Sequence, residues 1–101
     1  MIICFDVDGT LIDENDQPVM DLVSLATVLA EAGEHVFIWS GGGKDYADLW
    51  KRRLGLPDNV VAIAKDKTIG GHTPDIVIDD CEGWGKLQLI VKRGNGPAVL
   101  G

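Results

Sequence analysis

Short apolar runs alternate with segments of helical periodicity along most of the chain. The strand-like runs cover residues 1–5, 35–39, 60–64 and 75–79. Between the first three of them, residues 20–32 and 44–54 repeat apolar side chains at the spacing of an amphipathic helix. Strands that alternate with helices predict βαβ units. We therefore expect an α/β protein, with a three-layer Rossmann-like fold and helices on both faces of a central parallel sheet.

The C-terminal part of the pattern is ambiguous. Residues 84–89 suit a short helix, whereas residues 87–91 suit a strand. We favour a helix or turn that is followed by an apolar tail. A length of 101 residues is typical of one domain, so residues 1–101 are predicted to form a single domain.

Composition and charge exclude several classes of protein. With 16 acidic and 9 basic residues the formal net charge is −7, which disfavours an extended nucleic-acid-binding face. No apolar run approaches the roughly 20 residues of a membrane span, so no membrane partner is expected. The N-terminus also lacks the basic region of a signal peptide. Cys4 and Cys81 have no zinc-ligand spacing and adjoin predicted strands, which favours buried, reduced thiols and a cytoplasmic location.

Polar side chains follow all four predicted strands. Asp6 and Asp8 come after the first strand, Ser40 and Gly41 after the second, and Lys65 and Lys67 after the third, while Asp79 and Asp80 lie at the end of the fourth. The carboxyl ends of parallel strands meet at one edge of the sheet, where ligands of such folds bind. We therefore expect these side chains to lie close together.

This set of groups suits phosphoryl transfer. Several converging carboxylates are hard oxygen ligands of the kind that Mg²⁺ prefers. Ser40 can donate to a phosphoryl oxygen, and the glycines after it let backbone N–H groups approach the same atom. A lysine can neutralise both the carboxylates and an incoming phosphate.

Two motifs carry a resemblance to a known family. The sequence DVDGT at residues 6–10 follows an apolar run, and IVIDD occupies residues 76–80. Together with Ser40 and a lysine after the third strand, they resemble the haloacid dehalogenase-like (HAD) superfamily of hydrolases. The resemblance implies a HAD-like core and a phosphatase that forms an aspartyl-phosphate.

The resemblance also assigns roles to residues. It makes Asp6 the nucleophile and Asp8 the general acid and base. It makes Gly9 and Thr10 the turn that shapes the phosphate site, and Ser40, with Gly41, the donor to the phosphoryl oxygens. The site lysine is Lys65 or Lys67, of which we favour Lys65. Magnesium would be held by the Asp6 carboxylate, the backbone carbonyl of Asp8 and Asp79, with Asp80 as a direct or water-mediated partner.

The loops leave no room for the cap domain that many family members carry. Residues 11–19 and 65–74 are the two candidate insertion points, and both are short. Resemblance to capless members implies a phosphorylated substrate that covers the site itself, or a neighbouring subunit that does so in a homo-oligomer. A small molecule, a nucleotide end and a phosphoprotein are all possible substrates.

Other functions fit parts of the pattern. A HAD-like module that binds metal and phosphate without turnover, acting as a regulatory subunit, is the main alternative. A two-component receiver domain is disfavoured. Its acidic pair follows the first strand and its phosphorylated aspartate follows the third strand, whereas here the second acidic pair, Asp79 and Asp80, lies at the end of the fourth strand. Trp84 follows the second acidic pair and either packs in the core or stacks on an aromatic leaving group.

Overall fold

Five parallel strands form one sheet in the computed structural model, which describes residues 1–92. The strands are β1 (Ile2–Asp6), β2 (His35–Ser40), β3 (Val61–Ala64), β4 (Ile76–Asp79) and β5 (Leu87–Ile90). Their order across the sheet is β3-β2-β1-β4-β5, and each neighbouring pair is parallel. The α/β class with a central parallel sheet is therefore confirmed. The bounds of β1 to β4 agree with the sequence pattern to within one residue.

Two helices pack on the same face of this sheet. They are α1 (Met20–Glu31) and α2 (Lys44–Arg53). Their buried side chains join those of β1 and β2 in one core cluster, whose members include Val23, Ala26, Ala47, Trp50, Phe5 and Ile38. Small alanines on the inner faces allow both helix backbones to approach the sheet closely, and the apolar area removed from water stabilises this layer.

The opposite face of the sheet is covered by loops. Cys4, Trp39 and Val77 form a second buried cluster there, against the partly buried side chains of Ile69 and Trp84. Ile69 belongs to the connection between β3 and β4, and Trp84 to the connection between β4 and β5. Within residues 1–92 the third layer is thus formed by loop segments, and the expected helices on both faces are not seen.

The segment after β4 differs from the favoured expectation. Residues 87–90 form strand β5, paired in parallel with β4, rather than a helix or turn. Among residues 1–92 this strand lies at the edge of the sheet, and Leu87, Leu89 and Ile90 remain exposed. The backbone pairing therefore decides the structure of a segment whose side chains gain little burial. The apolar tail expected after residue 92 lies outside the described residues.

Strand register aligns the ends of β1 to β4. Asp6 pairs with Trp39, Ser40 pairs with Ala64, and Phe5 pairs with Ile78. The last residue of each strand, or the residue after it, therefore reaches the same edge. Neither α1 nor α2 has the length or the apolar character that crossing a bilayer would require.

Candidate active site

Asp6 is a buried carboxylate at the end of β1. Its exposure is 6%, and its chain neighbours Phe5 and Val7 have no exposed surface. The chain turns sharply after it, because the N–H groups of Leu11 and Ile12 donate to the carbonyl of Val7 at 3.0 and 3.1 Å. The turn brings Leu11 and Ile12 into the core and leaves the Asp6 side chain at the edge of the sheet.

Lys65 joins Asp6 to Asp79. Its Nζ lies 2.6 Å from Oδ2 of Asp79 and 3.8 Å from Oδ1 of Asp6. The backbone holds this position, since the N–H of Lys65 donates to the carbonyl of Ser40 at 3.1 Å, one residue after β3 ends. The lysine is only 14% exposed. A charged pair with so little solvent around it is much less screened than a surface ion pair.

Lys67 lies elsewhere. Its Nζ donates to the carbonyl of Gly83 at 3.1 Å and sits 4.0 Å from the centre of the Trp84 ring. Its side chain makes no ion pair with Asp6 or Asp79 among residues 1–92. Of the two lysines that the sequence leaves open, the structure brings Lys65 to the carboxylates.

The charges at this edge are not balanced. Burial raises the pKa of Asp6 to about 8, and the negative charges of Asp79 and Asp80 add to the effect while Lys65 opposes it. Burial acts to lower the pKa of Lys65, but its hydrogen bond to Asp79 and the charge of Asp6 outweigh burial, so that pKa is raised. Among residues 1–92, the Lys65 ammonium pairs with Asp6 and Asp79, while Asp80 adds a third negative charge beside Asp6.

Asp79 and Asp80 occupy contrasting positions. Asp79 is fully buried, and its Oδ1 accepts the N–H of Cys81 at 3.0 Å. Asp80 is exposed, raises the pKa of Asp6 through its negative charge, and places its carboxylate against Gly9. A methyl group on Gly9 would overlap Oδ2 of Asp80, and the φ of Gly9 is +77°. Gly9 is therefore required both for the turn and for the approach of Asp80.

The donor set fits a hard divalent cation. Asp79 and Asp80 each offer a carboxylate oxygen to one group of neighbouring donor atoms, whereas Asp6 is not a member of that group and is coupled to both through their charges. Carboxylate oxygens with a deficit of positive charge around them are ligands that Mg²⁺ prefers. Oxygen atoms of Asp79 and Asp80 also lie within 4.8 Å of the Cys81 sulfur. A thiol is a poor ligand for Mg²⁺, so the carboxylates are the relevant part of this cluster.

Ser40 is presented by the loop between β2 and α2. Its side chain is 3% exposed, and its Oγ accepts the N–H of Gly42 at 2.9 Å. The Ser40 hydroxyl can still donate its proton to an acceptor at the sheet edge, because Oγ acts only as the acceptor in this bond. Gly41 is exposed in the same loop, and Thr10 is buried beneath the turn that follows β1.

Asp8 is exposed and turned toward α2. The hydroxyl of Tyr46 donates to Oδ1 of Asp8 at 2.7 Å. That hydrogen bond is the main cause of a raised pKa at Tyr46. The sequence pattern assigned Tyr46 only to the apolar face of a helix. Its place in the first turn after the Ser40 loop is the one signal that could have indicated a role at the site.

The cleft beside Asp8 is open and acidic. It measures about 390 Å³ and is lined by Asp8, Gly9, Asp13, Glu14, Asp16 and Asp80. Side chains of the loop after β1 thus form one wall, and Asp80 forms the other. Such a cleft repels polyanions unless a cation is bound, which agrees with the disfavoured nucleic-acid face.

Trp84 packs rather than lining this cleft. Its ring meets Trp39 edge-on at 5.5 Å, and the ammonium of Lys65 lies 4.6 Å from its centre. Cys4 is buried, and burial raises its pKa to about 12, as expected for an inert thiol. Cys81 is exposed, so the expectation that both thiols are buried is wrong for this residue. It follows β4 in a loop, where the strand no longer covers it.

Comparison with known proteins gives little further information. No protein-family model and no curated protein sequence matches the chain. The chain is similar to the crystal structure of a hypothetical protein from Geobacillus kaustophilus HTA426, with 31% sequence identity and a TM-score of 0.46. The match covers 55% of this chain and 22% of that chain. The chain thus spans about a fifth of the matched protein's length, and a likeness of this extent does not establish a family.

Proposed function

We propose that this protein is a Mg²⁺-dependent phosphomonoesterase of the HAD-like type, without a cap domain, that acts through an aspartyl-phosphate on Asp6. One observation carries the proposal. A buried aspartate ends the central strand, within reach of the Lys65 ammonium that also binds Asp79. The hydroxyl of Ser40 ends the neighbouring strand. These three groups would serve as the nucleophile, the neutralising charge and the hydrogen-bond donor to the phosphoryl oxygens.

In the first step, a carboxylate oxygen of Asp6 attacks phosphorus. The new bond joins that oxygen to phosphorus, while the bond from phosphorus to the leaving oxygen breaks. Asp8 gives its proton to the leaving oxygen, so the product leaves as a neutral alcohol. Ser40 and Lys65 stabilise the charge on the phosphoryl oxygens during the transfer.

In the second step, water attacks the phosphorus of the aspartyl-phosphate. Asp8, now ionised, accepts a proton from the water molecule as it attacks. The bond between phosphorus and the Asp6 oxygen breaks, which releases inorganic phosphate and restores the carboxylate. Asp8 therefore returns to its protonated form and is ready for another cycle.

Magnesium fits this account as the missing positive charge. The Asp6 carboxylate, the backbone carbonyl of Asp8 and Asp79 would hold the ion, with Asp80 as a direct or water-mediated partner. When bound, Mg²⁺ supplies charge neutralisation for the phosphoryl group. Asp6 must be ionised to attack, and burial, together with the charges of Asp79 and Asp80, opposes that state by raising its pKa to about 8.

The open, acidic cleft limits the kind of substrate that can bind. Asp8 is exposed, and short connections surround it, so the leaving group of a bound phosphate ester projects into solvent or against a partner. The acidic wall of the cleft favours a leaving group without additional phosphates. A phosphorylated small molecule or protein segment suits this surface better than a nucleic-acid end.

A phosphatase panel tests the proposal. Purified protein is assayed with aryl and alkyl phosphate monoesters, with Mg²⁺ and with EDTA, beside Asp6→Asn and the surface control Asp58→Asn. We expect turnover that requires Mg²⁺, is lost in Asp6→Asn and persists in Asp58→Asn. Folded protein that binds Mg²⁺ but turns over no ester would overturn the proposal in favour of a metal-binding regulatory module.

A further inference from the structure

The hydrogen bond between Tyr46 and Asp8 joins two elements that are far apart in the sequence. The Tyr46 hydroxyl donates to Oδ1 of Asp8 at 2.7 Å across 38 positions of sequence. Asp8 is exposed and sits in a tight turn, so its carboxylate would otherwise sample several rotamers in water. An exposed carboxylate that is fixed in this way needs an explanation, since a surface hydrogen bond contributes little to stability.

Tyr46 is itself held in place. It is the third residue of α2, and its ring is partly buried against the main core cluster. The ring also lies against Gly42, where a Cβ would approach Cδ2 of Tyr46 to 3.4 Å. The core and the loop therefore fix the ring, and the ring fixes the hydroxyl.

The same loop positions Ser40, the predicted hydrogen-bond donor to phosphate. The N–H of Gly42 donates to Ser40 Oγ at 2.9 Å, and a Cβ on Gly42 would come within 3.3 Å of that oxygen. Gly42 thus lies between the hydroxyl of Ser40 and the ring of Tyr46. This arrangement holds the group that meets phosphate and the group that orients Asp8 at a set separation.

We infer that Tyr46 is a positioning residue for the proton transfer by Asp8. By occupying Oδ1, the phenol leaves Oδ2 to carry the proton that goes to the leaving oxygen. It also holds the carboxyl group at one orientation beside the bound phosphate. This inference rests on the proposed phosphatase activity. It adds a residue from α2 to a site otherwise built from strand ends and the turn after β1.

Leaving groups of different basicity provide the test. Tyr46→Phe keeps the ring and removes the hydroxyl. With Mg²⁺ present, kcat/KM is measured for an alkyl phosphate, phenyl phosphate and p-nitrophenyl phosphate. We expect about a tenfold loss for the alkyl ester, whose leaving oxygen must be protonated, and less than about a twofold loss for p-nitrophenyl phosphate. Mg²⁺ affinity measured by calorimetry should stay unchanged, because the Tyr46 hydroxyl bonds to the side chain of Asp8, whereas the backbone carbonyl of Asp8 would hold the ion.

A double-mutant cycle separates positioning from packing. In Asp8→Asn no proton is available, so adding Tyr46→Phe should cause no further loss with the alkyl ester. Leu54→Ala serves as the control for α2, because Leu54 packs on the core just after the helix, away from Asp8. Its effect, where there is one, should be the same for all three esters.

A spectroscopic measurement needs no activity. The chain has one tyrosine, so labelled Tyr46 gives a single ¹³Cζ resonance that reports the hydrogen bond of the phenol. We expect that resonance to shift in Asp8→Ala and to stay in place in Asp58→Ala. An unchanged resonance in Asp8→Ala would overturn the contact itself.

The outcomes distinguish this inference from the function on which it rests. No turnover by the wild-type protein would overturn both. Turnover that is lost in Asp6→Asn, combined with an equal effect of Tyr46→Phe on all three esters, would overturn only the positioning role. If the double mutant shows the product of the losses from Tyr46→Phe and Asp8→Asn, that result would also overturn only the positioning role. A loss confined to poor leaving groups and absent from the Asp8→Asn background supports the inference.

Discussion

The Nζ of Lys65 lies 2.6 Å from Oδ2 of Asp79, a carboxylate with no exposed surface. The same ammonium is 3.8 Å from Asp6, so a single lysine compensates two buried acids. Breaking a buried pair by removing one partner is costly, because the other charge stays behind without compensation. This relationship makes Lys65 the side chain on which both the stability and the proposed chemistry of the site depend.

Replacing Lys65 should therefore affect stability and turnover together. In Lys65→Met we expect the free energy of unfolding in EDTA to fall by about 3 kcal/mol, measured by urea denaturation. We expect kcat/KM to fall by about a hundredfold, since a charge that stabilises the phosphoryl group is lost. Lys67→Met is the matched control and should change kcat/KM by less than about threefold, because Lys67 contacts Gly83 and Trp84. Equal effects of the two substitutions would contradict the assignment.

Gly9 can be tested against a glycine of similar conformation. Gly9→Ala introduces a methyl group that overlaps Asp80, in addition to the strain of a positive φ. Gly71 has a φ of +82° with open space around its Cβ position, so Gly71→Ala carries the strain alone. We expect each to lose about 1 kcal/mol of stability from strain. Only Gly9→Ala should also weaken Mg²⁺ binding, by about tenfold in calorimetry. Unaltered Mg²⁺ affinity in Gly9→Ala would argue against a role for Asp80 in the metal site.

The raised pKa of Asp6 predicts how stability depends on pH without metal. Its ordinary value is 3.8 and its folded value is about 8, so between these values the folded protein holds a proton that the unfolded chain has released. The contribution of Asp6 to the free energy of unfolding is therefore fully present below about pH 4 and is lost as the pH rises through about 8. Urea denaturation in EDTA at about pH 5.5 and about pH 8.5 measures the decrease. Asp6→Asn should show a smaller decrease, and equal decreases in the two proteins would contradict the raised pKa.

The two cysteines should differ in reactivity. Cys81 is exposed, although the charge of Asp80 raises its pKa, whereas Cys4 has no exposed surface. A thiol reagent should modify one sulfur in the folded protein and the second only after unfolding, and Cys81→Ser should abolish the first reaction. Rapid modification of both thiols in the folded wild-type protein would contradict the packing of Cys4 between the sheet and its covering loops.

Much of the fold follows from the hydrophobic pattern, because β1 to β4 and both helices bury continuous or periodic apolar faces. The pattern is less informative for β5, whose side chains at Leu87, Leu89 and Ile90 remain exposed. Alternation and helical spacing cannot be told apart over four residues that pack against little. Backbone pairing with β4 decides the conformation there, and pairing leaves no signature in the sequence of an edge strand.

The candidate site is also predictable from the sequence only in part. The acidic groups at the strand ends are predictable, since parallel strands bring their carboxyl ends together. The sequence favours Lys65 over Lys67 only because Lys65 comes directly after the third strand. What decides between them is tertiary: β3 ends at Ala64, and the N–H of Lys65 donates to the Ser40 carbonyl. Tyr46 has an apolar ring that fits the helical pattern, and its hydroxyl gains a partner only through the tertiary fold.

The most direct measurement of the central claim is chemical trapping of the intermediate. The protein is mixed with an aryl phosphate and Mg²⁺, and borohydride is added during turnover, which reduces an aspartyl-phosphate to homoserine. Digestion and mass spectrometry then locate the altered residue. The account predicts homoserine at position 6, absent without substrate and absent in Asp6→Asn. Sustained turnover with an unmodified Asp6, or with the modification at Asp8 or Asp79, would contradict it.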